Sequence, residues 1–158
     1  QYNGLLPDVV GPRVAALQAL IAGGAVGDSA LPLLPVFNAA QEFYAQYQVI
    51  PFANGSGIRY LTQYAQFFDP INNYEMFYTF QGLTSDGQYW VSVILPVSHP
   101  ILPPNGDNPP GGDWVTFGDN FGPYIADITT QLNSQLPESF TPTINMLDAM
   151  IASLTIQP

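Results

Sequence analysis

Residues 73–97, NYEMFYTFQGLTSDGQYWVSVILPV, decide the fold. Tyr89, Val91, Val93, Leu95 and Val97 alternate with Trp90, Ser92, Ile94 and Pro96, the period of two that places β-branched and aromatic side chains on one face of a strand. Upstream, Met76, Tyr78 and Phe80 alternate with Phe77, Thr79 and Gln81 in the same way. Ser85-Asp86-Gly87 between the two runs supplies residues suited to positive φ, so the stretch reads as a β-hairpin. Trp90 and Ile94 on the opposite face imply that this face is also partly covered, because a freely solvated face is more polar.

Working outward, Ala40 to Phe52 shows a second alternation, with Phe43, Ala45, Tyr47 and Val49 on one side and Tyr44, Gln46 and Gln48 on the other. Ala53-Asn54-Gly55-Ser56-Gly57 is a turn, and Ile58 to Phe68 is expected as the next strand. Four sequential strands with short links form an antiparallel meander. Residues 98–112, SHPILPPNGDNPPGG, follow as an irregular loop, since proline removes the donors that a strand or helix needs.

Beyond the loop, Asp113 caps a helix whose stripe is Trp114, Phe117, Phe121, Ile125, Ile128 and Leu132, interrupted at Gly122-Pro123. Phe121 is assigned to the core, where replacement by Ala would cost about 3 to 5 kcal/mol. Thr141-Pro142 supplies a cap and first turn for a last helix that aligns Ile144, Leu147, Ile151 and Leu154. Upstream of the sheet, a helix from Asp8 aligns Val10, Val14, Leu17 and Ile21 and stops at Gly23-Gly24. The expected fold is α+β, a four-stranded antiparallel meander covered by a C-terminal helix pair. Residues 1–36 form an N-terminal helix and apolar connector, and residues 37–158 the α+β domain, in one structural domain overall.

Composition narrows the function classes. With 158 residues, 47% of them apolar, the chain is long enough for a packed core without staples. It contains no run near the roughly 18 apolar residues of a membrane span. Arg13 and Arg59 are its two cations against twelve acids, for a net charge of −10, so nucleic acid and anionic membrane surfaces are excluded as partners. Cysteine is absent, which removes thiolate nucleophiles and zinc ribbons. Only 9% of residues are charged, and a surface built from amides, hydroxyls and tyrosines can pack against itself at little desolvation cost.

No catalytic set, cofactor site or metal site emerges. His99 is the single histidine, and its neighbour Ser98 does not make a triad, which is a matter of spatial geometry. Asp107, Asp113 and Asp119 with Asn105, Asn108 and Asn120 hold oxygen ligands of the kind calcium takes, but not in the EF-hand spacing. Glu42 and Glu75 are the carboxylates available for glycoside hydrolysis, and a polar strand face explains both. Asn54-Gly55-Ser56 fits a glycosylation acceptor, and a chain beginning at Gln1 reads as a processed, extracellular product.

The runs GIRYLTQYAQ (57–66) and FYTFQGLTSDGQYWVSVILPV (77–97) resemble a segment of uncharacterised secreted or lipid-anchored bacterial proteins. Their strand, TSDG turn and aromatic strand are similar to the PsbP and Mog1 type of sheet. The resemblance spans residues 36–100 and implies an extracytoplasmic α+β domain without naming an activity; the cysteine of a lipid anchor is missing. The candidate interaction surface combines the apolar connector residues Leu31, Leu33, Leu34 and Val36 with the second-face aromatics Tyr44, Phe67, Phe77 and Trp90. The first functional expectation is an extracellular, non-enzymatic protein that associates with copies of itself in a filament, layer or coat, its residues 1–36 lying on a neighbour. The alternative is a secreted binding domain for a glycan or an envelope protein.

Overall fold

The computed structural model describes residues 7–27 and 30–157. Expectations about residues 1–6, and about the side chain of Asp8 as a cap, lie outside the described residues. The chain runs α1 (Pro7–Ile21), β1 (Ala40–Phe52), β2 (Gly55–Ala65), β3 (Phe77–Thr84), β4 (Trp90–Pro96), α2 (Trp114–Asp119), α3 (Phe121–Ser134), a 3-10 turn (Pro137–Ser139) and α4 (Ile144–Ala152). The four strands form one antiparallel sheet in the order β1-β2-β3-β4, the expected α+β meander. Among the described residues no helix is long and apolar enough to cross a membrane.

Both faces of the sheet are covered. On the first face Phe43, Ala45, Phe52, Leu61, Tyr78 and Phe80 pack with Ile128 and Leu132 of α3 and Ile144, Leu147 and Ile151 of α4. On the second, Ile58, Tyr60 and Leu83 pack with Leu17 and Leu20 of α1 and with Leu31 and Leu33 of the connector.

The connector has no strand partner, so its backbone polar groups must be satisfied by other means. Side chains of the sheet and its flanks do this. The Leu31 amide donates to Gln41 Oε1 at 2.8 Å and the Leu34 amide to Gln81 Oε1 at 3.1 Å, while the Tyr60 hydroxyl donates to Pro32 O at 3.2 Å. The Ser92 hydroxyl donates to Leu34 O, and Trp90 Nε1 donates to Gln81 Oε1 at 2.7 Å.

Two expected details of the sheet are corrected. The alternation of β1 breaks at a bulge between Ala45 and Gln48, where Gln46 takes a φ of 53°. The extra residue moves Tyr47 to the second face beside Tyr44, with ring centroids 6.4 Å apart, and brings Ile50 and Phe52 onto the face of Phe43 and Ala45. Val49 is left exposed. The left-handed conformation at Gln46 is held from three sides: its amide donates to Asn133 Oδ1 at 2.7 Å, its side chain donates to Leu132 O at 2.9 Å and Gln135 O at 3.0 Å, and Arg59 Nη1 donates to its carbonyl. The same side chain thereby satisfies carbonyls at the end of α3.

β2 starts at Gly55 rather than Ile58 and ends at Ala65 rather than Phe68. Gly57 lies opposite Gly82 of β3, and a Cβ on Gly57 would stand 2.4 Å from Gln81 O and 2.5 Å from Gly82 Cα. These glycines are strand residues because the backbones and the Phe80 ring leave no space for a side chain.

The helix breaks also shift. The first interruption falls at Asn120, so that Pro123 occupies the first turn of α3, where its missing N–H leaves no bond unmade. Phe121 is half-buried against Phe68, Phe117 and Tyr124 rather than in the core. The cap of α4 is Thr143, whose hydroxyl accepts from the Met146 amide, and Thr141 instead pairs with Ser98 in an isolated bridge.

Arg59, 3% exposed, is the cation inside the first core. It forms a two-pronged pair with Asp148 of α4, Nε to Oδ1 at 3.1 Å and Nη2 to Oδ2 at 2.9 Å, and donates to Gln48 Oε1 at 2.8 Å. The Tyr78 hydroxyl also donates to Asp148 Oδ1 at 2.9 Å. A charge removed from water needs this degree of pairing, and the network ties α4 to β2, β3 and the bulge of β1.

Candidate functional site: an aromatic cleft over Asp69 and Glu75

The link between β2 and β3, residues 66–76, is built as a rigid bracket. Asn72 is fully buried and organises it: its amide donates to Gln63 Oε1 at 3.1 Å, its side chain donates to Pro70 O and Glu75 Oε2 at 2.9 Å each, and its Oδ1 accepts from the amides of Tyr74 and Glu75. From the helix layer, the Tyr124 hydroxyl accepts from the Ile71 amide at 2.8 Å. A bracket held this way can present apolar side chains to water without collapsing onto them. Phe67 is 83% exposed and Phe68 59%, and Trp114 of α2, 49% exposed, faces them.

These three rings, with Tyr64, line a cleft of about 530 Å³ whose polar lining includes Asp69 and Glu75. Phe68 rests on Phe121 with centroids 4.8 Å apart, and Trp114 meets Phe117 edge-on at 6.0 Å, so two of the rings are seated on a half-buried aromatic row.

Electrostatically the cleft is acidic. Asp69 is pushed up to about 7, first by burial and then by its hydrogen bond to Glu75 and the nearby charges of Glu75, Glu42 and Asp107. Two carboxylates at hydrogen-bond distance hold a proton because both cannot ionise cheaply. Burial also raises Glu42, and it raises the Tyr64 phenol to about 12. Glu42 and Glu75, named together in the sequence as carboxylates for glycoside hydrolysis, both belong to the acidic neighbourhood around Asp69.

The candidate interaction residues are divided by the fold. Phe67 lies in the cleft; Leu31 and Leu33 are buried inside the chain, with Tyr44, Phe77 and Trp90 packed around them in the second core and Leu34 half-buried. Val36 is 48% exposed. Asn54 sits in the β1–β2 turn with its amide doubly engaged, Nδ2 donating to Ile156 O at 2.7 Å and Oδ1 accepting from the Ile156 amide at 3.0 Å. A glycan on Nδ2 would have to displace this C-terminal segment.

His99 is buried against Phe140. Its Nδ1 accepts from the Ile101 amide at 3.3 Å, which leaves the proton on Nε2 to be donated to Ser139 Oγ at 2.9 Å; the Ser139 hydroxyl donates in turn to Leu136 O at 2.7 Å. That direction is the reverse of a base accepting a serine proton. Burial also lowers its pKa, favouring the neutral ring. Asp113 caps α2 through the Thr116 amide, and Asp107 accepts from Asn105 Nδ2 at 2.7 Å. Among the described residues no group of three or more His, Asp or Glu is placed to hold a metal, and no buried side-chain polar atom lacks a partner.

Phe68, Asp69 and Trp114 were not marked by the sequence pattern. Trp114 lies three residues from Phe117 and so joins the helical stripe on spacing alone. A signal was present at Phe67-Phe68-Asp69-Pro70, where two adjacent aromatics end an alternating run and cannot both lie on one strand face. Compared with protein-family models, curated proteins and solved structures, the chain matches none of them.

Proposed function

We propose that the chain is an extracytoplasmic, non-enzymatic binding domain whose cleft holds a neutral glycan. The observation that carries this is the exposure of Phe67, Phe68 and Trp114 around the Asp69–Glu75 pair. Aromatic faces take up the C–H faces of sugar rings, and carboxylate oxygens accept from their hydroxyls. Large rings kept in water on a braced link are the kind of surface that marks an interaction site. Anionic ligands are disfavoured: Arg59 is buried and paired, and Arg13 donates to its own helix at Val9 O. His99 donates to Ser139 rather than accepting from it, so the single histidine is not placed as a general base.

Leu31 and Leu33, part of the motive for self-association through residues 1–36, are covered within the chain, which favours the binding reading.

Calorimetry against a panel of neutral oligosaccharides tests the reading. Binding should weaken roughly five-fold for each of Phe67→Ala and Trp114→Ala, about 1 kcal/mol per stacked ring, with the unfolding midpoint held. A panel with no binder, or a binder indifferent to both substitutions, would overturn it.

A further inference from the structure

The two edges of the sheet are built differently. At the β1 edge a bulge, Pro51 and the hydrogen bonds from Gln46 to Asn133, Leu132 and Gln135 of the helix layer prevent another strand from adding. β4, WVSVILP, has no strand on its outer side among the described residues, no bulge in its ladder with β3 and no charged side chain. The principal helix contacts of the sheet are with β1, β2 and β3. Ser92, Ile94 and Pro96 are exposed, and Val91, Val93 and Leu95 are half-buried. Natural sheets protect such an edge with charge, proline or a covering element; here Pro96 stands at its end and the Ser98–Thr141 bridge closes the chain just beyond it.

We infer that β4 pairs antiparallel with β4 of a second copy, joining two sheets into one of eight strands. A strand is self-complementary about a two-fold axis. With the axis at Val93, Val91 lies opposite Leu95 of the partner, Ser92 opposite Ile94 and Trp90 opposite Pro96, and every pair is uncharged. Charge selects this edge for a second copy rather than another partner. The chain carries −10, and its longest stretch without a charged residue runs from Asp86 to Asp107, with β4 inside it. Two like-charged molecules therefore meet here with the least repulsion. Because the β1 edge is closed, addition ends at two copies: the contact is isologous and gives a dimer instead of the filament, layer or coat expected from the sequence.

Light scattering over about 1 μM to about 1 mM, the range of ordinary dimer affinities, should show the mass doubling. Ile94→Lys, at an exposed position, should hold the mass at that of one chain while leaving the unfolding midpoint unchanged. The chain has no cysteine, so Val93→Cys gives an unambiguous second readout: oxidation should yield a covalent dimer, whereas Thr130→Cys on the exposed side of α3 should not. A parent that stays at one chain mass throughout, a dimer undiminished in folded Ile94→Lys, a species larger than two copies, or failure of Val93→Cys to link each overturns the pairing. If Ile94→Lys does not fold, the cysteine pair decides alone.

Discussion

The two faces of the sheet are covered by different means. On the first, α3 and α4 bring regular apolar stripes, and the one buried cation is paired with Asp148. On the second, helix α1 shares the cover with an irregular, proline-bearing connector whose leucines lie in the sheet's apolar surface while Gln41, Tyr60, Gln81 and Ser92 bond its backbone. Part of a sheet face can thus be covered without regular secondary structure, provided that polar side chains replace the missing backbone ladder. The contrast also explains the scarcity of charge on the strands, which carry only Glu42 and Arg59: both faces are interior, so amides and hydroxyls take most polar positions.

The largest expected effect lies on the first face. Asp148→Ala strands Arg59 in the core and should cost about 3 to 5 kcal/mol in denaturant unfolding, whereas the double change Arg59→Met with Asp148→Leu should recover most of that loss. An equal loss in both would show that the cost is not that of a stranded charge but of the bonds the pair makes to Gln46, Gln48 and Tyr78. Leu132 of α3 and Leu33 of the connector then compare the two covers directly, since they are 0% and 3% exposed. Leu132→Ala should cost about 4 kcal/mol and Leu33→Ala about 3, because an irregular cover relaxes further into a cavity; the reverse order would break the comparison.

A smaller effect is expected at Phe121, whose half-exposed ring should cost about 1 kcal/mol when cut to Ala, well below the value expected from its place in the helical stripe. Smallest is a pH effect at the cleft. Asp69 has its folded pKa raised to about 7, above its unfolded value, so its contribution to stability is full below about 4 and is lost as pH rises through about 7. Asp69→Asn should therefore gain on the parent in melting temperature as pH rises from 4 to 8, and parallel curves for the two proteins would remove Asp69 from that titration.

Much of the sheet was legible because alternation is a local signal: β1 matches its expected limits, and β3 and β4 fall within the hairpin that opens the derivation. What was not legible depended on partners distant in sequence. Nothing around Gln46 announces a bulge, since the groups that hold it belong to Arg59 and to residues 132–135. Nothing in the connector's composition says whether its leucines meet this chain or another, because an irregular segment has no period that assigns a face. The candidate cleft was half visible: Phe67 drew notice as a leftover aromatic, but Trp114 comes to it across the 98–112 loop, and the rise of Asp69 comes first from burial and then from Glu75, with Glu42 and Asp107 adding to it.

That α1 and connector residues 30–36 are part of the fold, and not an arm held out to a neighbour, is tested most directly by denaturant unfolding of residues 37–158 alone beside the full chain. Without α1 and the connector, Ile58, Tyr60 and Leu83 face water, so the shortened chain should show a much lower midpoint and a reduced slope. A shortened chain that unfolds cooperatively at the midpoint of the full one would contradict the two-faced core.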